Sequence, residues 1–246
     1  YITSKETMLA AVRLLDSVEK AKSTFMKKST APSVRSYNEK IITPEIVEFA
    51  SEMPNFTDEN IPDWKGVIWP EAVENGTLQA DTVTALIKMW SQWGFNSVRY
   101  YIPYTMLFSL DGSKVNEAEL NRLDRIVAAA MKNKIHIELV FSGLPGMNQD
   151  LSENQFIMGG QFDLFYNPEK QKQARLVWET LAERYAALPN SVLSFNLLQE
   201  ILPGTDVNLL YDDDIAKVYM DLIDGIRKYD PDRFIVFEDP PYENNT

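Results

Sequence analysis

The stretch Trp93-Gly94-Phe95-Asn96-Ser97-Val98-Arg99-Tyr100-Tyr101-Ile102-Pro103 decides how the rest of the chain is read. Just before it, Val83, Leu86, Ile87 and Trp90 recur at i, i+3, i+4 and i+7, the spacing of one apolar helix face. Gly94 stops that helix, as a C-terminal glycine does. Residues 96–102 are then rich in β-formers and are closed by Pro103. Helix, glycine and strand therefore follow one another within about 20 residues, the rhythm of a β/α unit.

The rhythm repeats three times downstream. Asn116 can cap a helix, with Glu119 placed three residues on as in a capping box. Leu120, Leu123, Ile126, Val127 and Ala130 give its buried stripe, and residues 135–141 are the next strand. Asn167-Pro168-Glu169 opens a third helix, with proline at the first helical position and an acid in the first turn. Pro189-Asn190 turns the chain into a strand over 191–198. Ile215, Val218, Tyr219, Leu222, Ile223 and Ile226 form a fourth helix face, Asp230-Pro231-Asp232 ends it, and residues 233–237 are a strand. Such alternation implies parallel strands joined by right-handed crossovers. The expected fold class is α/β, a (β/α) TIM-barrel-like architecture with four to five recognisable strands. The long loops fall over 103–115, 142–167 and 199–213, all after strands, where such a barrel places its site.

Residues 1–60 do not share the rhythm and are expected to form a helical and irregular extension. Residues 61–246 are the expected barrel core, ending after the fifth strand. Met8, Ala11, Val12, Leu15 and Val18 point to a helix through about residue 28. Residues 29–80 carry five prolines and are expected to be mostly loop, with one short helix near 44–52.

Composition narrows the function classes. The chain has 246 residues, a net charge of −12, no Cys and one His. A surface of that charge repels a phosphate backbone and an anionic membrane, so no nucleic-acid partner is expected. No apolar run approaches the roughly 20 residues of a membrane span, so no membrane insertion is expected. Thiolate chemistry and any two-histidine system are excluded outright. No cofactor and no metal are expected: Tyr211-Asp212-Asp213-Asp214 lacks the other ligands of a cation loop and reads as the charged start of a helix. His136 lies within a strand and reads as a core residue.

Four segments, in order, resemble family 5 of the glycoside hydrolases. Trp93 through Arg99 is similar to the family's Gly-Phe-Asn-x-Val-Arg strand. Phe141-Ser142-Gly143-Leu144-Pro145-Gly146-Met147-Asn148 is similar to its His-Gly-Ala-Pro-Gly-x-x-Asn loop. Trp178–Tyr185 followed by Ser191–Glu200 is similar to its helix and its Leu-Leu-Asn-Glu-Pro strand end. Ile223–Arg227 with Asp230–Arg233 is similar to the next helix and strand. The resemblance spans about residues 80–240. It implies a retaining two-carboxylate glycosidase acting on a β-linked polysaccharide or oligosaccharide, endo-glucanase- or mannanase-like, placed outside the cell, in a periplasm or on a cell surface. By resemblance Glu200 is the acid/base, and Arg99, Gln199, Asn148 and Ser142 line the sugar site. Trp64, Trp69, Tyr101 and Tyr104 are candidate sugar-stacking residues, with core packing the favoured role for each.

The sequence departs from the family pattern at several places. Gln199 stands where the family has Asn, Ile201 where it has Pro, and Ser142 where it has His. The nucleophile belongs on a seventh strand, beyond the five counted here. Glu71 and Glu45 are the carboxylates of residues 1–80 in a faintly suitable setting, and neither is assigned the role. A non-catalytic carbohydrate-binding barrel and a segment of a larger glycosidase are therefore kept as alternatives, with self-association or a continuation of the chain covering an open sheet edge.

Overall fold

The computed structural model describes residues 52–57, 59–71, 77–147, 163–199 and 212–238. Within them five strands alternate with helices: β1 (Gly66–Pro70), α1 (Ala80–Gln92), β2 (Ser97–Ile102), the single turn α2 (Tyr104–Leu107), α3 (Glu117–Lys132), β3 (His136–Phe141), α4 (Pro168–Tyr185), β4 (Leu193–Asn196), α5 (Asp212–Arg227) and β5 (Phe234–Val236). The strands form one all-parallel sheet in the order β1-β2-β3-β4-β5. This is the strand order of a (β/α) barrel, open among the described residues. The helix expected through about residue 28 lies outside them, as does the one near 44–52 but for its last residue.

Local signals account for the elements. Gly94 adopts φ +84° just past α1, a conformation that a side chain disfavours. Asn167 caps α4 by accepting from the backbone N–H groups of Glu169 and Lys170, with Pro168 at the first helical position. Asn116 caps α3 by accepting from Glu119 N at 3.4 Å. The reciprocal half of a capping box is not made: the Glu119 carboxylate accepts from Leu78 N at 2.7 Å and pairs with Arg122. The acidic run opens α5 at Asp212, as its composition requires.

β1 is a strand that the reading of residues 29–80 as mostly loop does not name. Gly66-Val67-Ile68-Trp69-Pro70 is short and proline-ended, which hides it as a strand. Among the described residues β1 is an edge strand, where Pro70 needs no ladder donor, so the strand tolerates it. Glu71 does follow a strand, but its carboxylate serves the fold. It is buried and accepts from Tyr100 Oη at 2.6 Å and Gln79 N at 2.7 Å. Burial, reinforced by this carboxylate, pushes the Tyr100 hydroxyl far above its ordinary range.

Register sorts the side chains onto two faces. Val98, Tyr100 and Ile102 align with Ile137, Leu139 and Phe141, and these with Leu193 and Phe195. This face packs on the helices: the ring of Trp178, fully buried in α4, lies 4.8 Å from Phe141 and 5.1 Å from Phe195. Trp69 packs on Trp90 of α1 in the same way. The opposite face carries Arg99, Tyr101, Glu138, Val140, Ser194 and Asn196.

Residues 52–57 and 59–65 close the N-terminal ends of the strands. Asn55 and Asn190 bond each other's neighbourhoods reciprocally: Asn190 N donates to Asn55 Oδ1 and Phe56 N to Asn190 Oδ1. Ser191 Oγ donates to Met53 O. The rings of Phe56 and Trp64 rest on His136 at 5.7 and 4.8 Å, leaving a cavity of about 330 Å³ at this end. His136 is a core residue, as expected. Its Nδ1 donates to Ser191 O at 2.8 Å, so its Nε2 accepts from Ser194 Oγ at 2.7 Å.

Burial, aided by the Arg233 charge and opposed by the Ser191 carbonyl, holds the His136 pKa at about 4. Its unfolded value lies near 6.5, so the unfolded chain binds the extra proton between those values. Stability is therefore full above pH 6.5 and falls as pH drops toward 4, by about 3 kcal/mol in total. Urea unfolding at pH 7, 6, 5.5 and 5 checks this. The His136→Gln variant is expected to show a flatter dependence over that window, and an equal slope in both proteins counts against the assignment.

Candidate active site

The candidate site side chains grow from the face of the sheet that turns away from the helices. In a parallel strand buried on both sides, a charged residue must find a partner. Arg99 of β2 finds two. Its Nε stands 3.3 Å from a Glu138 carboxylate oxygen, directly across the β2–β3 register, and its Nη2 forms an ion pair with Glu238. The guanidinium also lies 5.0 Å over the Tyr101 ring. Arg99, Glu138 and Glu238 are 28%, 22% and 19% exposed at their side chains, half-buried rather than solvated.

Asn196 of β4 closes the cluster. Its Nδ2 donates to Glu138 Oε1 and to Glu238 Oε1, each at 2.8 Å. Two carboxylate oxygens on one nitrogen stand no more than twice that distance apart. The cluster thus brings two acids to one guanidinium. Glu238 lies two residues past β5, and its backbone is pinned. Tyr219 Oη of α5 accepts from Glu238 N at 3.2 Å and lies 3.1 Å from Glu238 O and 3.5 Å from Leu198 O. Strand β5 is in register with β4 through Asn196↔Val236, so Glu238 lies level with Leu198, two residues before Glu200.

Of the expected site residues, Arg99 and Tyr101 come together here. Ser142 is the first residue past β3, half-buried, and its N–H extends the ladder to Ile102 O at 3.1 Å. Gln199 is half-buried three residues past β4. Glu200 and Asn148 lie outside the described residues. Tyr104 is set apart: it is buried, and its hydroxyl donates to Leu110 O at 2.8 Å, which is the core role and not a stacking surface. Glu138, Asn196 and Glu238 are the residues that motif comparison passes over. The signal for the first two is a polar side chain between apolar strand neighbours.

The loop after β3 is held by tight glycines. Gly146 has φ +84°, and a Cβ there would meet Leu164 N and Cα and Lys170 Cβ, each at 2.9 Å. Gly146→Ala combines left-handed strain of about 1–2 kcal/mol with overpacking of about 1–3 kcal/mol. Its expected result is a clear fall in the thermal midpoint. An unchanged midpoint means that the loop moves away from Leu164 without cost.

Among the described residues no group of three His, Cys, Asp or Glu side chains is arranged to hold a metal ion. The cluster is instead an acid-rich, guanidinium-centred patch toward the C-terminal ends of parallel strands, where (β/α)-barrel enzymes carry their sites.

The comparisons agree with that class. The family model for cellulase, glycosyl hydrolase family 5, matches residues 59–246, and the chain belongs to this family. Cellodextrinase A of Ruminococcus flavefaciens is 30% identical over 115 residues, 47% of this chain and 32% of that protein. The probable glucan 1,3-beta-glucosidase A of Emericella nidulans is 28% identical over 148 residues, 59% of this chain and 35% of that protein. The chain thus spans about a third of the length of these curated relatives. A crystal structure of a glycoside hydrolase superposes with a TM-score of 0.61 at 22% identity, covering 72% of this chain and 54% of that one. Endo-glycoceramidase II from Rhodococcus sp. superposes at 0.54 with 17% identity, covering 75% and 51%. These likenesses show the barrel fold.

Proposed function

We propose that the protein is a retaining glycoside hydrolase that cuts O-glycosidic bonds in a β-linked polysaccharide, with Glu200 as its acid/base. The observation that carries the reading is membership of glycosyl hydrolase family 5 over residues 59–246. The match includes Glu200. The names of the curated relatives, a cellodextrinase and a glucan 1,3-beta-glucosidase, support a β-linked glucan as the substrate class. Arg99 then steadies the carboxylates beneath the sugar, while Tyr101, Gln199, Ser142 and Asn148 line its site. One carboxyl protonates the leaving oxygen, and a second, about 5–5.5 Å away, attacks the anomeric carbon. A polymer of this kind lies outside the cell, which supports a secreted, periplasmic or surface location.

The test is release of reducing ends from soluble β-glucans and β-mannans, with the anomeric configuration of the first product followed by NMR. Retained configuration is expected. Inverted product overturns the retaining mechanism, and no release overturns the enzyme reading.

Two observations favour a second reading, a carbohydrate-binding protein without turnover. Gln199 and Ser142 replace the family's Asn and His, and both are sugar contacts by resemblance. This reading expects oligosaccharide binding with no Glu200-dependent release. In either case β1 and β5 each pair on one side only among the described residues. That supports coverage of those edges by continuing chain or by a second copy.

A further inference from the structure

We propose that the cavity beside Trp64, at the N-terminal ends of the strands, is a second sugar-binding site that holds a neutral β-linked oligosaccharide. Membership of glycosyl hydrolase family 5 supplies the ligand class. The site depends neither on Glu200 nor on turnover.

Of the four rings that the sequence offers for sugar stacking, Trp69 and Tyr101 are half-buried and Tyr104 is buried. Trp64 is 42% exposed. Its ring is nonetheless held. Phe56 meets it edge-on at 5.4 Å, and the His136 ring lies 4.8 Å away. Asn96 ties the backbone on either side: Lys65 N donates to Asn96 Oδ1, and Asn96 Nδ2 donates to Asp63 O, each at 2.8 Å. A large apolar ring that is open to water and fixed in advance loses little freedom when a ligand stacks on it. Such preorganisation distinguishes Trp64 from a scattered surface hydrophobe.

The cavity has the chemistry of a small neutral ligand. Its volume is about 330 Å³, at the lower end of the roughly 300–1,000 Å³ of small-molecule sites. Met53, Pro54, Phe56 and Pro62 give it apolar walls beside Trp64. Glu52 and Lys134 also line it, paired at 3.0 Å and 51% and 65% exposed at their side chains. The ammonium donates and the carboxylate accepts, which together suit adjacent hydroxyls of a sugar. The two charges cancel. His136, with its pKa at about 4, is neutral near pH 7, and no other lining residue is charged. A net-neutral lining in a chain of net charge −12 matches a neutral ligand. Eleven residues line the cavity, against the roughly 20–30 on each side of a stable protein interface. A short stretch of oligosaccharide therefore fits it better than a second copy of the chain.

The experiment is fluorine NMR of the protein with its five tryptophans replaced by fluorotryptophan. The ligand is S-linked cellotetraose, whose thioglycosidic bonds resist hydrolysis. Trp64→Phe identifies the Trp64 resonance by its loss. We expect that resonance to shift saturably, with a midpoint of roughly 1 mM for so small a site. The resonance of the fully buried Trp178 should stay in place. Lys134→Met and Glu52→Gln alter exposed side chains, and each should raise the midpoint about two- to tenfold. Trp93→Ala is the control. Trp93 is 66% exposed but does not line the cavity, so its loss should leave the midpoint unchanged. No shift of the Trp64 resonance up to about 10 mM overturns the site. So does a midpoint that neither Lys134→Met nor Glu52→Gln changes, or one that Trp93→Ala raises as much as they do. A Trp64 shift that follows protein concentration without sugar overturns it in favour of a second copy. Binding at Trp64 with no release of reducing ends from soluble β-glucans keeps the site and removes the catalytic reading. Release with an unmoved Trp64 resonance does the reverse.

Discussion

Glu200→Gln is expected to lower hydrolysis of a soluble β-linked glucan by about 10²–10⁴-fold while leaving the melting temperature within a few degrees of wild type. The carboxamide keeps the size of the side chain and most of its hydrogen-bonding capacity, so the loss reports the missing proton. The effect depends on the leaving group. A sugar alkoxide is a poor leaving group and needs protonation as the bond breaks. An activated aryl glycoside leaves without that help, so its first step is spared. The second step then lacks its base, and a glycosyl-enzyme accumulates. A large loss on glucan with a smaller loss in the first turnover of the aryl substrate is therefore the signature of the acid/base role. Equal loss on both places Glu200 in binding or in structure, and no loss on either removes it from the mechanism. A comparable variant at Glu71 does not share this pattern. Its carboxylate is tied to Tyr100 and Gln79 on the helix-facing side of the sheet, so its loss falls on stability.

The fold is legible from residue 80 onward because local and long-range signals agree there. Helix faces repeat at 3.6 residues, Gly94 and Asn167 mark ends by their chemistry, and the strands between are runs of β-formers. β1 is not legible because its signals conflict. Five residues, one of them the terminal Pro70, form a strand only when the edge of β2 is there to receive them, and no local pattern carries that information. The reach of residues 52–65 beneath the sheet is hidden for the same reason. Asn55 and Asn190 are 135 positions apart, and each is an ordinary turn residue by itself.

The site divides along similar lines. Arg99 stands out as a charge inside a strand, and resemblance gives it a role. Glu138 and Asn196 carry the same signal, yet the matching motif ends on Gln199 and Glu200 and says nothing of them. Their meaning needs the register: Arg99↔Glu138 is a cross-strand pair, and Asn196 stands beside Val140, one step further along. Glu238 has no strand signal at all, since it follows β5. Tyr104 shows the opposite failure. An aromatic just past a strand invites a stacking role, but the turn α2 folds its ring into the core and gives its hydroxyl to Leu110.

Arg233→Met is expected to destabilise the fold by about 3–5 kcal/mol, the cost of breaking a buried pair by removing one partner. In sequence Arg233 is a charge at the start of a strand, a place usually open to water. In the structure its side chain is fully buried. Nε donates to Asp230 Oδ2 at 2.8 Å, Nη1 to Leu193 O at 2.7 Å, and Nη2 to Tyr185 O at 2.7 Å and Leu188 O at 3.0 Å. Tyr185 is the last residue of α4, and its carbonyl accepts from Leu188 N at 2.9 Å as well as from Arg233. One guanidinium therefore caps α4, anchors the start of β4 and pairs with Asp230 in the turn between α5 and β5. Methionine fills most of the volume but takes the guanidinium donors away from the Asp230 carboxylate and from the Tyr185, Leu188 and Leu193 carbonyls. Lysine keeps the charge and loses the planar fork, so Arg233→Lys should recover only part of the stability. Removing the stranded acid as well, in Arg233→Met with Asp230→Asn, should recover more than the single variants predict by addition, because the two groups are directly coupled. Urea unfolding of the four proteins measures that coupling. A fully additive double variant would show that the carbonyl contacts, not the ion pair, carry the loss. A single variant within 1 kcal/mol of wild type would show that water replaces the guanidinium at this junction.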